Sequence, residues 1–398
     1  MRDNREKRVL VVVPHPLGGI RTYLLTNIPF LEQSGYTFTF MAPEGEAFDL
    51  FQKDVKTRPG VEFIPVPVRK RKFMLWPYIR RALRSGRYSL IHSQGLRAGV
   101  EAALANYFQK VSHIITLHDT RQEKDFKGKF GRLKKHLAGY LSSRADAIIA
   151  VSQDCAQNHL DFFPLWKRAR CNVKVIYNGV DVERLTTAAK SFDQNTLRTQ
   201  FGWSGEIRIL GYFGRLMPEK GFLVLLDALR ELARRGHADH IRLIATKDPY
   251  GYRGEYMREV ERDEVLSRMV RFIDPVPDIA AVLPQIDVLV MPSLREACPL
   301  LPMEAIVLGV PVVGSDAIGL REVLKDTPSL APQAENVAML ASSILEAATM
   351  HRKELAKCYT SDAYTRFNNL HLAEKLVQVY SNMARGQTHI SFPLSEMN

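Results

Sequence analysis

Charged residues in the C-terminal half have the types and spacing to bind a phosphorylated ligand. Residues 214–221 join an apolar run to a helical pattern; Arg215 directly follows the run, and Lys220 stands where the helix begins. An arginine can hold a diphosphate through two hydrogen bonds, a lysine supplies a point charge, and a helix N-terminus supplies free N–H groups. The two cations, set between Gly214 and Gly221, therefore favour a diphosphate site over a solvated turn with incidental charges.

Two carboxylates follow a later apolar run in the same half. Glu296 falls on a loop, and Glu304 falls more than one turn inside the next helical pattern, beside Ala305 and Ile306. Burying a carboxylate costs several kcal/mol unless hydrogen bonds compensate. Ribose and hexose hydroxyls are natural donors to such groups, so this pattern favours a sugar-binding role for Glu304 over simple surface exposure.

The N-terminal half offers weaker candidates. Gly18 and Gly19 stand between an apolar run and a helical pattern, where glycine lets backbone N–H groups approach a phosphate closely. Taken alone, such a pair is more often only a tight turn. His118 follows another apolar run and could hydrogen-bond a sugar hydroxyl, although a lone histidine is more often structural.

The elements that must position these residues form an alternating pattern of short apolar runs and longer helical stretches. Runs that are apolar on both faces and separated by helices predict parallel sheets with helices on each side. The predicted fold class is therefore α/β, with two Rossmann-like doubly wound parallel-sheet domains facing each other across a cleft. The predicted strands lie at 9–13, 38–42, 63–68, 90–93, 113–117, 147–151, 173–176, 207–212, 241–245, 270–273, 288–291 and 310–313.

The predicted domain boundaries follow from where this pattern restarts. An N-terminal domain over 1–183 precedes a C-terminal domain over 184–361, and a polar stretch over 186–205 lies near the junction. A last helix over about 362–385 has no strand after it. We expect this helix to pack back on the N-terminal domain.

The charge of the chain is concentrated in its first half. The 398 residues carry 55 Lys and Arg and 43 Asp and Glu, and residues 1–184 alone have a net charge of +14. The excess lies in 69–72, in the arginines between 80 and 87, and in 124–135, with Phe73, Trp76 and Tyr78 beside the first run. A basic face attracts polyanions, here an anionic membrane surface, or it only aids solubility. The sequence disfavours a nucleic acid partner, because the aromatic residues are not interleaved with the basic runs as a base-stacking platform requires.

Other features exclude several classes of protein. No apolar stretch approaches the roughly 20 residues that span a bilayer, and the run after the basic N-terminus is too short for a signal peptide. The four cysteines are widely spaced and predict neither a disulfide framework nor a zinc site. The sequence lacks an Asp-x-Asp motif, a nucleophile elbow and a kinase motif set. We therefore expect a cytoplasmic protein, peripheral to the inner membrane face at most, with no metal and no cofactor.

The ordered set of motifs resembles the family 4 retaining glycosyltransferases, which have the GT-B fold. The resemblance runs from Pro14 to about Glu322 and includes the Gly18-Gly19 loop, His118-Asp119, the 175–181 segment, the Arg215 to Gly221 segment and a Glu-x7-Glu signature at Glu296 and Glu304. Residues 296–300 depart from the Gly-rich sequence of many relatives. That departure leaves the donor sugar open.

The resemblance implies a donor site for a nucleotide-diphosphate sugar and a role for each candidate residue. Arg215 and Lys220 would hold the diphosphate and Glu304 the ribose; Glu296 would contact the hexose, with the N–H groups of Leu300 and Leu301 nearby. His118 would approach the sugar, and Gly19 would offer backbone contacts. The candidate catalytic residues are thus His118, Glu296, Arg215 and Lys220.

The implied reaction moves a hexose, with retention and without metal, to a glycan or lipid-linked acceptor at the cytoplasmic membrane face. Two alternatives remain at this point. One is a soluble transferase acting on a small acceptor. The other is a non-catalytic protein that binds polyanions through its charge.

Overall fold

The computed structural model describes residues 7–68, 74–169, 171–193, 195–204, 206–248, 254–276 and 278–385. The chain divides into two compact units. Unit 1 comprises Met1–Asn178 and Asn369–Asn398, and unit 2 comprises Gly179–Asn368.

Unit 1 is built on a parallel sheet of seven strands in the order β3-β2-β1-β4-β5-β6-β7. Its strands are β1 (Arg8–Val12), β2 (Thr37–Pro43), β3 (Val61–Val66), β4 (Leu90–Gln94), β5 (Ser112–Leu117), β6 (Ala147–Ala150) and β7 (Val173–Val175). All neighbouring strands pair in parallel; β1 lies between β2 and β4, with Val9 opposite both Phe38 and Leu90. The sheet is therefore doubly wound, as the apolar runs predicted.

Helices cover both faces of this sheet. The helices of unit 1 are α1 (Gly18–Gln33), α2 (Glu46–Val55), α3 (Trp76–Leu83), α4 (Leu96–Asn106), α5 (Gly131–Ser142), α6 (Gln153–Phe162), α7 (Pro164–Arg168) and α18 (Asn369–Ala384), with a 3-10 turn at Glu123–Phe126. One apolar core packs α1, α2 and α18 against the sheet. A second core packs α3 and α4 against residues on alternate positions of the same strands, including Leu10 and Val12. Because side chains alternate across a strand, both faces are apolar and both must be covered.

Unit 2 is built on a parallel sheet of five strands in the order β10-β9-β8-β11-β12. Its strands are β8 (Arg208–Tyr212), β9 (Ile241–Thr246), β10 (Val270–Ile273), β11 (Val288–Met291) and β12 (Val312–Gly314). Its helices are α8 (Val182–Ser191), α9 (Thr196–Phe201), α10 (Phe222–Arg234), α11 (Glu255–Arg262), α12 (Glu264–Met269), α13 (Leu300–Val307), α14 (Leu320–Leu324), α15 (Val337–Ala347), α16 (Met350–Cys358) and α17 (Thr360–Arg366), with 3-10 turns at Pro218–Lys220, Ile279–Ala281 and Leu283–Gln285. Its core joins α10, α12 and α15 to the sheet.

Two stretches differ from the sequence-based expectation. The polar stretch over 186–205 contains the end of α8 and the whole of α9. The N-cap of α8 is Asp181, whose side chain accepts a hydrogen bond from the Arg184 N–H. The single helix predicted over 362–385 is two helices, α17 and α18. The backbone between them is extended enough to pair with Val180, whose N–H donates to the Phe367 carbonyl at 2.8 Å.

The chain passes between the two units near the pairing of Val180 with Asn368, once after Asn178 and once after Asn368. Val180 pairs with Phe367 and Asn368 inside unit 2, so unit 2 starts at Gly179, a few residues before the predicted boundary at residue 184. In the described part of the chain, no helix has the length and apolar character needed to cross a bilayer.

Candidate functional site

The strand order of unit 2 brings the two candidate segments together. β8 lies between β9 and β11, and Val288 on β11 is in register with Leu210 on β8. The chain leaves β8 towards Arg215 and Lys220, and it leaves β11 towards Glu296. Because parallel strands end at the same edge, these segments meet at the point where the strand order reverses, the usual ligand position in open α/β sheets.

Lys220 and Glu296 form a close ion pair at this edge. The Lys220 Nζ lies 2.6 Å from the Glu296 Oε1, and the Lys220 side chain is 32% exposed whereas that of Glu296 is 9% exposed. Ser293 Oγ donates to the same carboxylate oxygen at 2.8 Å. One oxygen of Glu296 therefore accepts from two protein groups that hold the side chain in place. The sequence analysis missed Ser293 because a serine on a loop carries no distinctive signal.

Close backbone approaches fix the loops that carry this pair. A Cβ on Gly221, whose φ is +69°, would lie 1.9 Å from the carbonyl oxygen of Pro292. A Cβ on Gly319, whose φ is +77°, would lie 2.5 Å from the carbonyl oxygens of Glu296 and Ala297. Both positions require glycine for conformation and for space. The loops after β8, β11 and β12 thus contact one another through their backbones.

Arg215 lies on the same segment as Lys220 but has a different partner. Its Nε is 3.9 Å from the Asp248 Oδ2, and its side chain is 61% exposed. The largely buried Asp248 also accepts a hydrogen bond from the Leu216 N–H at 2.9 Å. Asp248 follows β9, and nothing in the sequence distinguished it from other loop carboxylates. The guanidinium of Arg215 is therefore exposed and able to meet an anionic ligand.

The helix α13 begins beside this loop and presents the other predicted residues. Pro299 precedes it, so Leu300 and Leu301 lie in the first turn, where N–H groups have no acceptor within the helix. Glu304 lies one turn further on and is partly exposed. Burial raises the pKa of its carboxyl to about 7, an effect that nearby Asp278 reinforces and nearby Arg184 opposes.

The surroundings of Glu304 explain this shift. Arg184 donates to Asp278 at 2.7 Å, so the cation that favours ionisation of Glu304 is already paired with another carboxylate. Among the residues that the structure describes, the Glu304 carboxylate accepts no hydrogen bond. A desolvated acid without a donor is easier to protonate, and a ligand with hydroxyl groups would supply the missing donors.

The glycine pair of unit 1 opens the helix α1. Leu17 is the N-cap, Gly18 has a φ of +55°, and a Cβ on either glycine would meet no heavy atom within 4 Å. Among the described residues, no side chain caps the helix. The first-turn N–H groups are accordingly accessible, as a phosphate or acceptor contact at Gly19 requires.

His118 directly follows β5 and is held by two neighbours. Its Nε2 lies 2.7 Å from the Gln94 Oε1, and the Tyr23 ring packs edge-on at 4.8 Å between ring centroids. Burial lowers the pKa of the imidazole to about 3, so the ring is neutral near pH 7. With the Gln94 oxygen as acceptor, the proton sits on Nε2 and Nδ1 remains an acceptor. Sequence reasoning missed Gln94, the residue at the end of the neighbouring strand β4.

The structure therefore groups the predicted residues by unit. Arg215, Lys220, Glu296, Leu300, Leu301 and Glu304 belong to unit 2, and Gly19 and His118 belong to unit 1. A separate pocket of about 480 Å³ in unit 2 lies beside α9 and β10, with the Lys247–Asp274 ion pair in its wall, and contains none of these residues. Within the described ranges, no three His, Cys, Asp or Glu side chains come close enough together to hold a metal ion.

Comparison with known proteins agrees with this class of fold. Solved structures with the same two-domain architecture include Anabaena HepE in complex with UDP, which matches with a TM-score of 0.73 at 22% identity over 94% of this chain and 99% of that one. The model of Glycosyltransferase Family 4 matches residues 17–184, and that of Glycosyl transferases group 1 matches residues 207–349. The protein is a member of family 4 of the glycosyltransferases, with two Rossmann-like domains.

The curated relatives have low sequence identity to this chain. A D-inositol 3-phosphate glycosyltransferase of Corynebacterium jeikeium is 27% identical over 58% of this chain, and the match covers 57% of the relative's length. The O-antigen biosynthesis glycosyltransferase WclY of Escherichia coli is 25% identical over 75% of this chain and 80% of its own length. The chain thus spans little more than half the length of the first curated relatives that it matches.

Proposed function

We propose that this protein transfers a hexose from a nucleotide-diphosphate sugar to an acceptor hydroxyl, with retention of the anomeric configuration and without a metal ion. The observation that carries the proposal is the Lys220–Glu296 ion pair at the strand-reversal point of unit 2, beside the start of α13. It sets a cation for a diphosphate next to a carboxylate for a sugar.

The leaving diphosphate needs positive charge as the reaction proceeds. In the proposal, Lys220 and the exposed Arg215 supply that charge, and the first-turn N–H groups of Leu300 and Leu301 add hydrogen bonds. The negative ligand would draw the Lys220 ammonium partly away from Glu296. The two cations would offset the charge of the diphosphate without a divalent cation, and the two N–H groups would help to hold it in place.

The sugar and the ribose need acceptors for their hydroxyl hydrogens. Glu296 has one oxygen held by Lys220 and Ser293, which leaves the other oxygen for a hexose hydroxyl. The Glu304 carboxylate would accept from the ribose. We assign His118 to the transferred sugar, where its neutral ring would exchange a hydrogen bond with a hydroxyl, and Gly19 to a backbone contact with phosphate or acceptor.

The bond changes follow from this placement. The acceptor hydroxyl oxygen bonds to the anomeric carbon while the bond from that carbon to the diphosphate oxygen breaks on the same face of the ring. The hydroxyl proton passes to the departing diphosphate. Attack and departure on one face retain the configuration, and the diphosphate serves as the base.

The acceptor class rests on the relatives and on charge. One relative is an O-antigen biosynthesis enzyme by name, and another carries D-inositol 3-phosphate in its name. Together with the net +14 of residues 1–184, these favour an anionic or lipid-linked acceptor glycan at the cytoplasmic face of a membrane. A soluble transferase on a small anionic acceptor is the second candidate, favoured by the inositol phosphate relative.

The experiment that tests the proposal compares Lys220→Ala and Arg215→Ala with wild type in donor turnover. Each substitution should reduce kcat/KM by on the order of a hundredfold or more, because removing one such charge costs about 2 to 4 kcal/mol of transition-state stabilisation. Lys325→Ala, an exposed lysine of unit 2, is the matched control and should retain full turnover. Near-normal turnover in Lys220→Ala, or a product with inverted configuration by NMR, would refute the proposal.

A further inference from the structure

The helix α5 of unit 1 and its N-cap residue, Phe130, carry a row of apolar side chains that face solvent. Phe130, Leu133, Leu137 and Tyr140 are 58%, 65%, 53% and 45% exposed. Their spacing of three, four and three residues places them on one side of a helix. The opposite side of α5 packs into unit 1 through Ala138, Leu141 and Ser142. The helix α5 thus has an apolar side that packs into unit 1 and a second apolar row that faces solvent.

The end of α4 extends this row into a wider surface. Leu104, Tyr107 and Phe108 are 48%, 46% and 75% exposed. The two helices pack against each other, and the Arg144 guanidinium lies 5.1 Å from the centre of the Tyr107 ring. We call these seven exposed side chains the α4–α5 face. Large exposed apolar side chains gathered on two packed helices indicate an interaction site.

Basic residues surround the α4–α5 face. Lys129, Arg132, Lys134 and Arg144 are all exposed around it. Arg132 and Lys134 form no ion pair with any described residue. Between residues 123 and 144 the chain has seven Lys and Arg and two acidic residues. The surface is therefore apolar at its centre and positively charged at its edge.

We propose that the α4–α5 face docks on an anionic phospholipid bilayer, with the apolar side chains entering the headgroup region and the basic rim meeting lipid phosphates. This deepens the proposed function, since it names the surface that brings a transferase to a lipid-linked acceptor. The like charge of the rim opposes self-association of two copies through this face. The apolar centre distinguishes it from a nucleic acid surface, which needs cations along a groove.

This surface includes only the last of the basic runs that the sequence indicated, 124–135. Trp76 and Tyr78, beside the first basic run, pack against the apolar core of unit 1 instead of projecting outwards. Residues 69–73 lie outside the described part of the chain. The exposed row on α5 is hidden in the sequence because its apolar residues have the spacing of an ordinary buried helix face.

Co-sedimentation of the full-length protein with vesicles tests the proposal. Wild type should bind vesicles of phosphatidylglycerol and phosphatidylcholine in equal parts, and bind pure phosphatidylcholine at least about tenfold more weakly. Leu133→Ser/Leu137→Ser should weaken binding to the mixed vesicles by about tenfold or more, because the protein loses two of the apolar side chains that would enter the headgroup region. Arg132→Glu/Lys134→Glu should weaken it at least as much and abolish the lipid preference.

Matched controls change equally exposed residues elsewhere. Leu50→Ser/Met350→Ser removes two side chains that are 43% and 60% exposed, and Lys53→Glu/Lys56→Glu reverses two exposed charges at the C-terminal end of α2. Both controls should bind vesicles like wild type. Equal binding by Leu133→Ser/Leu137→Ser and wild type, or no binding by wild type, would overturn the proposal. A wild-type dimer that this double substitution makes monomeric would also overturn it, in favour of a contact between copies.

Donor binding separates this proposal from the proposed function. All four double variants should keep the wild-type affinity for the nucleotide-sugar donor, since none of the altered residues belongs to the candidate site. Vesicle binding without any donor affinity would remove the transferase proposal and leave the docking surface. Donor affinity without vesicle binding would do the reverse.

Discussion

At the residue scale, the central feature is a lysine and a glutamate that the sequence assigned to different parts of one ligand. The structure joins Lys220 to Glu296 at 2.6 Å, with Ser293 as a third member. The residue types and their order predicted the two ends of this pair. The pairing itself, and Ser293, Asp248 and Gln94, depend on which strand ends are neighbours, and that information is spread over the whole sheet rather than in any local motif.

Glu304 leads to a prediction about pH. Its pKa is raised to about 7 by burial, so in the free protein it is partly protonated at neutral pH. If ribose hydroxyls donate to the ionised carboxylate, donor affinity should rise about tenfold between about pH 6 and pH 8, the range over which such a group ionises. A nucleotide-diphosphate sugar is a suitable probe because its diphosphate does not itself titrate there, and isothermal titration calorimetry measures the affinity.

The control for this experiment is Glu304→Gln, which should bind more weakly than wild type at pH 8 and show a flat pH profile. His118 does not confuse the result, since burial keeps the pKa of its imidazole at about 3. Because the pKa of Glu304 is higher in the folded protein than in the unfolded chain, its ionisation lowers the free energy of unfolding. The loss occurs as the pH rises from the pKa of the unfolded chain through about 7. A slope that survives in Glu304→Gln would contradict this assignment.

At the element scale, apolar runs predicted both sheets well, because most of the strands are buried on both faces. The five strands β1, β4, β6, β11 and β12 consist entirely of buried residues. Helices were harder where their residues are polar. The helices α8 and α9 have charged and amide side chains over much of their surface, and the break between α17 and α18 depends on a backbone pairing with Val180 that lies far away in sequence.

Gly319 gives a prediction about the loops that the strands hold together. Gly319→Ala should lower kcat by at least about tenfold, because its Cβ would collide with the carbonyl oxygens of Glu296 and Ala297 and move the Lys220–Glu296 pair. Gly202→Ala is the matched control, with a φ of +64° but open space around its Cβ. Both variants should lose about 1 kcal/mol of stability to backbone strain. Equal activity in the two variants would show that the contact does not position the site.

At the scale of the whole molecule, the helix α18 belongs to unit 1 although it follows unit 2 in the sequence. The helix α18 packs on α1, and its apolar side chains, including Leu372, Leu376 and Tyr380, complete the core of unit 1. Tyr380 also bonds to the buried His92 Nδ1 at 2.7 Å, while the His92 Nε2 bonds to Thr116. Sequence analysis could predict a last helix packing back, but not this hydrogen-bonded chain, since neither His92 nor Tyr380 stands in a motif.

Tyr380→Phe tests whether this helix stabilises unit 1. The variant leaves a buried imidazole nitrogen without its partner, at a cost of about 1 to 3 kcal/mol. Hydrogen exchange of β4 and β5 should therefore accelerate by about tenfold or more, while β8 and β11 of unit 2 exchange as before. The control is Tyr364→Phe, which removes a hydroxyl that donates to Glu183 at the surface of unit 2. It should leave the hydrogen exchange of β4 and β5 unchanged. Unaltered exchange in Tyr380→Phe would contradict this role.

The measurement that most directly tests the donor site is a thermal-shift panel of UDP-, GDP- and ADP-sugars, each with and without EDTA. One nucleotide should raise the Tm by several degrees at saturating concentration, because binding at about a hundred times Kd stabilises the fold by about 2.7 kcal/mol. EDTA should not change the shift, and Lys220→Ala should remove it. No shift with any nucleotide sugar, or a shift that EDTA abolishes or Lys220→Ala leaves intact, would contradict the account.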